Sequence, residues 1–234
     1  MDKGAFKLLH GLESIWWYRG RTAVVREALR RVTLPGDARI LDFGAGYGGM
    51  QKTLAHYGEV YAFEPEASAR KEATLRGYVR VFDSPEDALQ EKYDLIALFD
   101  VLEHIEDDGG FLRKAHDALR PGGMLLITVP AMPFLWSTHD VTHHHFRRYT
   151  SRTLLHALTD ASLSVPFLSF WNMLLFAPAA LARLLGRSGE TSFHVPRIID
   201  QFLYGVVRIE TYLMRLSPLP FGISLIALAR KKDP

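Results

Sequence analysis

Glycine and acidic residues in the first half of the chain have the spacing of a cofactor site. A short apolar run ends at Asp42 and Phe43, and Gly44, Gly46 and Gly49 follow it. Glycine adopts backbone angles closed to other residues, and its missing Cβ lets a ligand approach the backbone amides. The pattern predicts a strand, a tight turn and a helix start that together bind a nucleotide-type cofactor.

Acidic residues also follow the next three predicted strands. Glu64 follows the second strand, where a carboxylate can accept hydrogen bonds from both ribose hydroxyls. Asp83 and Asp100 follow the third and fourth strands. Because ligands of open α/β sheets bind at the carboxyl ends of the strands, we expect these acids to line one site. Nicotinamide and flavin cofactors also suit the glycine turn and Glu64, so these residues alone leave the cofactor class open.

A histidine-rich segment after the predicted fifth strand supplies candidates for acid–base chemistry. His139 and His143 are the preferred general bases, followed by His145, because an imidazole titrates near neutral pH. A solvated loop is the alternative interpretation. A metal site made by Asp140 with several histidines is a further one, but the spacing matches no fixed ligand pattern, so no metal is predicted.

Candidate residues for the second substrate lie in three places, each with a structural alternative. The N-terminal aromatic residues either line a substrate mouth or pack in the core, and Arg19 either pairs with a cofactor carboxylate or binds a helix end. Arg147 either recognises an anion or is a surface cation, and His104 either closes the cofactor pocket or makes a structural contact. The predicted substrate-binding residues are Trp16, Trp17, Tyr18, Arg19, His104, Arg147 and Tyr149.

These residues require a scaffold in which strands and helices alternate, which predicts an α/β fold with a doubly wound, mostly parallel, seven-stranded sheet. Strands are predicted at residues 39–43, 60–63, 79–82, 95–99, 124–129, 163–170 and 223–229. Helices are predicted near residues 50–56, 66–76, 85–90, 109–118, 151–161, 172–186 and 197–216, after two helical pieces within residues 4–32. The two N-terminal pieces are expected to meet at Trp16–Arg21, and Leu119–Gly123 is expected to be a turn.

The length favours one domain with four parts. These are an N-terminal helical cap at 1–36, a cofactor-binding core at 37–170, a helical insertion at 171–218, and a last strand with a tail at 219–234. No charged residue occurs from Ala161 to Ala182, but prolines and Asn172 favour a buried strand plus helix over a membrane span. Peripheral membrane contact and a homodimer through residues 171–216 are the partner alternatives.

Composition narrows the function classes further. The 28 basic and 26 acidic residues leave a net charge of +2, so no nucleic-acid partner is expected. The chain has no cysteine, which excludes disulfides, thiolate metal sites and a cysteine nucleophile, and which fits a reducing cytoplasm. We also expect no export signal, because Glu13, Arg19 and Arg21 interrupt the N-terminal segment.

Five blocks in the order and spacing of one family decide between the cofactors. They are Ile40–Gly48, Phe63–Pro65, Phe82–Ser84, Phe99–Ile105 and Leu119–Gly123. Across residues 39–130 the chain thereby resembles the class I S-adenosylmethionine-dependent methyltransferases. The resemblance implies that S-adenosylmethionine is the methyl donor and S-adenosylhomocysteine the product.

The same resemblance assigns roles to individual residues. Gly44 and Gly46 would face the methionine part of the cofactor, Glu64 its ribose, and Asp83 the amino group of its adenine. Asp100 and Val101 would form the edge of the pocket. The full set of implied cofactor-binding residues is Asp42, Gly44, Gly46, Glu64, Asp83, Ser84, Asp100 and Val101.

Outside these blocks the likeness is looser. Trp16–Arg21, His145–Tyr149 and Leu219–Leu225 resemble segments of bacterial methyltransferases of unassigned substrate, some of them similar to quinone-pathway enzymes. We therefore expect a cytoplasmic enzyme, peripheral at most to the inner membrane face, that methylates an oxygen or nitrogen atom of a small or partly apolar metabolite. The alternatives are a nicotinamide-dependent oxidoreductase and a non-catalytic cofactor-binding protein.

Overall fold

The computed structural model describes residues 13–184 and 195–232. Seven strands within these residues form one sheet: β1 Arg39–Phe43, β2 Glu59–Phe63, β3 Val81–Phe82, β4 Tyr93–Phe99, β5 Leu119–Pro130, β6 Leu163–Trp171 and β7 Ser224–Lys231. The strand order is β3-β2-β1-β4-β5-β7-β6. Strand β7 is antiparallel to β5 and β6, and the remaining pairs are parallel. The predicted α/β class and mostly parallel sheet are confirmed.

Helices flank this sheet throughout the described residues. They are α1 Trp16–Leu29, α2 Gln51–Leu54, α3 Ala67–Thr74, α4 Pro85–Gln90, α5 Asp108–Ala118, α6 Thr138–Thr142, α7 Ser151–Asp160, α8 Phe176–Leu184 and α9 Arg197–Leu216. Two 3-10 turns lie at Leu102–His104 and Pro133–Leu135. The helical piece predicted before residue 13 and the predicted helix end at 186 lie outside the described residues.

Strand β4 is the centre of the core. All seven of its residues are buried, and it pairs in parallel with β1 on one side and β5 on the other. A continuous apolar run is what a strand covered by helices on both faces requires. Because these strands are parallel, the residues that follow β1, β2, β3, β4 and β5 meet at the same edge of the sheet.

Helix α1 is continuous through Trp16–Arg21, so the predicted joint between two helices at this place was wrong. The backbone N–H of Trp16 donates to Asp200 Oδ1 at 2.6 Å, and the Arg19 guanidinium forms an ion pair with the same carboxylate. Asp200 on α9 thus satisfies a free amide at the start of α1, a contact that the local sequence does not reveal. Close packing continues at Gly20, where an added Cβ would lie 2.9 Å from Val207 Cγ1.

Two connections also differ from expectation. Leu119–Gly123 is the beginning of β5 instead of a turn, because Leu119 pairs with Tyr93 before a register shift restores the pairing at Leu95 and Met124. The polar segment 131–149 contains a 3-10 turn and α6, and Ala131 and Tyr149 form an isolated bridge across it.

The uncharged run 161–182 forms β6 and most of α8. None of the helices in the described part of the chain has the length and apolar character needed to cross a membrane. The four-part division of the domain stays a prediction.

Candidate active site

The glycine turn lies where its sequence pattern predicts, directly after β1. Gly44, Gly46 and Gly48 have φ angles of 79°, 55° and 79°, in the left-handed region that glycine enters without strain. The backbone amides of Gly44 and Ala45 donate to the Phe63 carbonyl at 2.9 and 3.0 Å. The end of β2 therefore holds the turn in place.

The two sides of this turn differ in the space available. A Cβ at Gly44 would lie 2.6 Å from Val101 Cγ2, so the turn packs directly on the residue after Asp100. A Cβ at Gly46 would meet no atom of the described residues within 4 Å. Gly44 is therefore required for packing, whereas Gly46 faces open space.

Glu64 is buried beside the glycine turn and bonded to it. Its Oε2 accepts from the Gly46 amide at 2.7 Å and its Oε1 from the Glu66 amide at 2.9 Å. Burial raises the pKa of Glu64, and the two amide hydrogen bonds oppose that rise. The carboxylate thus lies after β2 and beside the glycine turn, and its contact with a ribose stays a prediction.

Asp42 is the second buried acid of this region. Its Oδ2 accepts a hydrogen bond from the Tyr78 hydroxyl at 2.6 Å. Burial raises the pKa of Asp42 to about 6; the Tyr78 bond and the charge of Arg21 oppose this rise, and the charge of Glu64 adds to it. Two neighbouring buried carboxyls create a negative potential, which is complementary to a positively charged sulfonium.

Asp100 is held from two sides at the end of β4. Its φ is 57°, a conformation that aspartate tolerates better than most residues. The Thr128 hydroxyl donates to Asp100 Oδ1 at 3.2 Å, and Arg21 Nη1 donates to Oδ2 at 3.0 Å. Arg21 also stacks over the Tyr18 ring, with its Cζ 4.6 Å from the ring centroid. Helix α1 therefore contacts Asp100, at the edge of the predicted cofactor site, through Arg21. Arg21 was not among the predicted site residues.

Asp83 and Ser84 follow β3 but serve different purposes in the structure. Asp83 is exposed at the end of the strand. The Ser84 hydroxyl accepts from the Asp87 amide at 3.2 Å and caps α4, as the Ser-Pro sequence indicates. Contact of either residue with adenine stays a prediction.

The aromatic residues of α1 pack against β6 and one another. The ring centroids of Trp17 and Trp171 lie 4.8 Å apart, and those of Trp16 and Trp17 lie 5.7 Å apart. Arg19 pairs with Asp200 and lies over the Tyr204 ring at 4.2 Å. The structure thus directs Arg19 toward α9, although a pairing with the cofactor carboxylate was one of its predicted roles.

Four histidine rings come together near Asp100. The ring centroids of His104 and His145 lie 4.6 Å apart, and those of His139 and His143 lie 4.1 Å apart. His143 and His145 are 6.1 Å apart. Burial and the neighbouring His145 and His143 lower the pKa of His104, so its imidazole is neutral at physiological pH.

Asp140 forms hydrogen bonds with several residues of this histidine-rich segment. It is buried, and its Oδ1 accepts from Arg148 Nε at 2.8 Å and from His145 Nδ1 at 2.9 Å. Its Oδ2 accepts from the Ser137 amide at 2.9 Å. Burial opposes ionisation, but the bonds from His145 and Arg148 outweigh it and hold the pKa of Asp140 well below its usual range. Asp140 therefore orients His145 and is itself poorly placed to ligate a metal.

Arg147 and Tyr149 both contact Asp108 at the start of α5. Arg147 Nη1 lies 2.6 Å from Asp108 Oδ1, and the Tyr149 hydroxyl donates to Asp108 Oδ2 at 2.7 Å. These contacts join the residues that follow the histidine-rich segment to α5. The predicted substrate role of the two residues is untested.

The sheet topology, the glycine turn with open space beside it and the acids after successive strands define a class. They are features of class I S-adenosylmethionine-dependent methyltransferases, with S-adenosylmethionine as the cofactor. The chain belongs to the methyltransferase-domain family: the family model matches residues 16–165, more than half of the chain.

Curated relatives agree with this family. The ubiquinone biosynthesis O-methyltransferase of Bradyrhizobium sp. (strain ORS 278) is 30% identical over 137 residues, which cover 54% of this chain and 54% of the relative. The protein of the same name from Xylella fastidiosa (strain M23) is 34% identical over 109 residues, covering 42% and 44%. The chain thus spans about half the length of the curated relatives that it matches.

Solved structures show the fold. A SAM-dependent methyltransferase from Archaeoglobus fulgidus superposes with a TM-score of 0.56 at 16% identity, over 90% of this chain and 94% of that one. An S-adenosylmethionine-dependent methyltransferase from Mesorhizobium loti gives 0.56 at 17% identity, over 87% and 95%. At this identity the likeness concerns the fold alone.

Proposed function

We propose that the protein transfers the methyl group of S-adenosylmethionine to an oxygen atom of a small, partly apolar acceptor. The observation that carries this proposal is the position of the histidine cluster beside Asp100 and Val101, at the edge of the donor site. The curated relatives named as ubiquinone biosynthesis O-methyltransferases support an oxygen atom as the attacking group, and we propose a phenolic hydroxyl.

Such a transfer requires the protein mainly to position the methyl donor and the acceptor. The sulfonium already makes the methyl carbon electrophilic, so in-line orientation and exclusion of water supply most of the acceleration. A base helps when the nucleophile starts as a hydroxyl. His139 and His143 are our candidates, because their paired rings lie in the cluster next to the donor edge. A nitrogen acceptor is the alternative for the same geometry.

Calorimetry with S-adenosylhomocysteine tests the donor half of the proposal. Glu64→Ala should weaken binding about 10- to 100-fold, because it removes both the ribose acceptor and the bond that holds the Gly46 amide. Glu59→Ala is the matched control, since Glu59 is exposed at the other end of β2. Absence of binding by the folded wild-type protein would overturn the proposal.

Methyl transfer from labelled S-adenosylmethionine to a panel of phenols with short and long apolar tails tests the acceptor half of the proposal. His143→Ala should lower kcat at least tenfold while S-adenosylhomocysteine affinity stays unchanged. Retention of full kcat in both His139→Ala and His143→Ala would remove these residues as bases. Cofactor binding without transfer to any acceptor would favour a non-catalytic cofactor-binding protein.

For the partner surface we propose a second copy of this chain bound through α9. Ile198, Phe202, Ile209, Tyr212 and Leu216 are exposed and recur at the three- and four-residue spacing of a helix–helix seam. Gly205 lies midway along this stripe with nothing near its Cβ position among the described residues. Two antiparallel α9 helices crossing at Gly205 would set Ile198 opposite Tyr212 and Phe202 opposite Ile209.

Light scattering after gel filtration tests this surface. Phe202→Glu combined with Ile209→Glu should convert a dimer to a monomer, whereas Leu155→Glu on α7, also exposed, should not. A monomeric wild-type protein would overturn the dimer. If that monomer floats with anionic vesicles and the same double variant does not, the stripe would be assigned to contact with the cytoplasmic face of the inner membrane.

A further inference from the structure

Two rings of the histidine cluster and one neighbouring carboxyl group are potential ligands of a single metal ion. Glu103 and His104 belong to the 3-10 turn after β4, and His145 comes from the segment after α6. One ligand atom from each lies within 4.8 Å of the others. This separation is close enough for a single cation to bind all three after small side-chain movements.

One oxygen of the Glu103 carboxyl lacks a hydrogen-bond partner. The residue is only 1% exposed, and no described residue forms a hydrogen bond with its Oε2. Burial and the charge of Asp100 raise the pKa of Glu103 well above its ordinary value. An unpaired buried carboxyl oxygen is costly, and such a group usually indicates an unmet interaction with a proton, a water or a cation.

Each of the two imidazoles is oriented through one nitrogen and keeps the other for a ligand. His145 Nδ1 is bonded to Asp140 at 2.9 Å, which leaves Nε2. The His104 ring is hydrogen-bonded to the backbone of His143. A carboxylate behind a histidine is the usual support for a metal ligand, since it fixes the tautomer and the direction of the ring.

We propose that Glu103, His104 and His145 bind one divalent transition-metal ion, such as Zn²⁺ or Mn²⁺. Two nitrogen donors and one carboxylate oxygen suit these ions, whereas Mg²⁺ prefers an all-oxygen set. Glu103 is buried, His145 half-buried and His104 exposed, so the ion has a way in from solvent. The prediction of no metal considered spacing within residues 139–145 only, whereas this site combines two distant segments.

This inference goes beyond the proposed function, because methyl transfer from a sulfonium does not itself require a metal. A bound ion would occupy the free nitrogen of His145, leaving His139 and His143 as the bases. Metal binding and cofactor binding can therefore be measured separately on the same preparations.

Calorimetry on the full-length chain without an affinity tag, after removal of metal by chelator and dialysis, tests the site. We expect one Zn²⁺ or Mn²⁺ per chain and no comparable binding of Mg²⁺. Glu103→Gln, His104→Ala and His145→Ala should each lower the Zn²⁺ affinity at least tenfold. Asp140→Asn keeps all three ligands and should lower it by roughly 10- to 100-fold through the lost orientation of His145.

Two controls locate the ion. His156→Ala removes an exposed histidine of α7 and should leave Zn²⁺ affinity unchanged. The double variant His139→Ala/His143→Ala should also retain the site. Circular dichroism verifies that each variant is folded. If Glu103→Gln unfolds, His104→Ala still tests the site, because His104 is exposed.

Wild-type protein that binds S-adenosylhomocysteine but neither Zn²⁺ nor Mn²⁺ would overturn the metal site and leave the proposed function intact. Unchanged Zn²⁺ affinity in the ligand variants, or its loss only in His139→Ala/His143→Ala, would also overturn it.

Discussion

The glycine turn and the α1–α9 contact are held together in different ways. The turn is bound by backbone bonds to the end of β2 and by acids that follow neighbouring strands. The α1–α9 contact depends on Asp200, which binds Trp16 and Arg19 from the far end of the sequence. The glycine turn is therefore determined by strand ends that the fold brings together, whereas the α1–α9 contact depends on side chains particular to this chain.

Arg21 is where the two regions meet. It lies on α1, yet its guanidinium bonds the Asp100 carboxylate at the donor edge. The ion pair is mostly shielded from solvent, so the position of α1 and that of the donor edge are coupled. Substitutions on either side of this link show how far the regions are independent.

The largest effect is expected at Gly44. Gly44→Ala would place a Cβ 2.6 Å from Val101 Cγ2 at a residue with φ of +79°. We expect S-adenosylhomocysteine affinity to fall about 100-fold or more, equivalent to roughly 3 kcal/mol, in calorimetry. Gly36→Ala is the control, because no described atom lies within 4 Å of its Cβ position. Binding within threefold of wild type would mean that the turn tolerates movement.

A second effect of similar size concerns the pH dependence of stability without cofactor. Burial raises the pKa of Asp42 from 3.8 to about 6. Between these values the folded protein retains a proton that the unfolded chain has released, so the free energy of unfolding falls as pH rises. The loss amounts to roughly 3 kcal/mol by pH 7, at about 1.4 kcal/mol per pKa unit.

Urea unfolding of Asp42→Asn at pH 4 and pH 7 measures this contribution. The variant keeps an oxygen for the Tyr78 hydroxyl but cannot ionise, so it should lack the decline that Asp42 causes. Asp117→Asn, at a side chain that is 80% exposed, should retain the wild-type difference. An equal decline in Asp42→Asn would mean that other groups cause it.

The sequence predicted individual strands and helices well and contacts between distant segments poorly, for a physical reason. Local patterns predicted β1 at 39–43 and α9 at 197–216 with the observed bounds, because periodicity and caps are properties of neighbouring residues. The partners of Arg21 and Tyr78 are 79 and 36 residues away, and no local pattern encodes such contacts. Glu103 was missed as a potential metal ligand for the same reason, since His145, which lies close to it in the structure, is distant in the sequence.

The smallest expected effect lies in the α1–α9 contact. Asp200→Ala removes the acceptor for the Trp16 amide and the partner of Arg19, both partly buried. We expect the free energy of unfolding to fall by about 1–2 kcal/mol in urea titrations. Asp160→Ala, which breaks an exposed pair with His156 on α7, should cost less than about 0.5 kcal/mol.

Asp200→Ala also tests whether the two regions are independent. Because no bond of the glycine turn passes through Asp200, Asp200→Ala should leave S-adenosylhomocysteine affinity within about twofold of wild type. A tenfold loss would show that Arg21 transmits the position of α1 to Asp100 strongly enough to reshape the donor edge. The α1–α9 contact would then contribute to cofactor binding, and the two regions would not be independent.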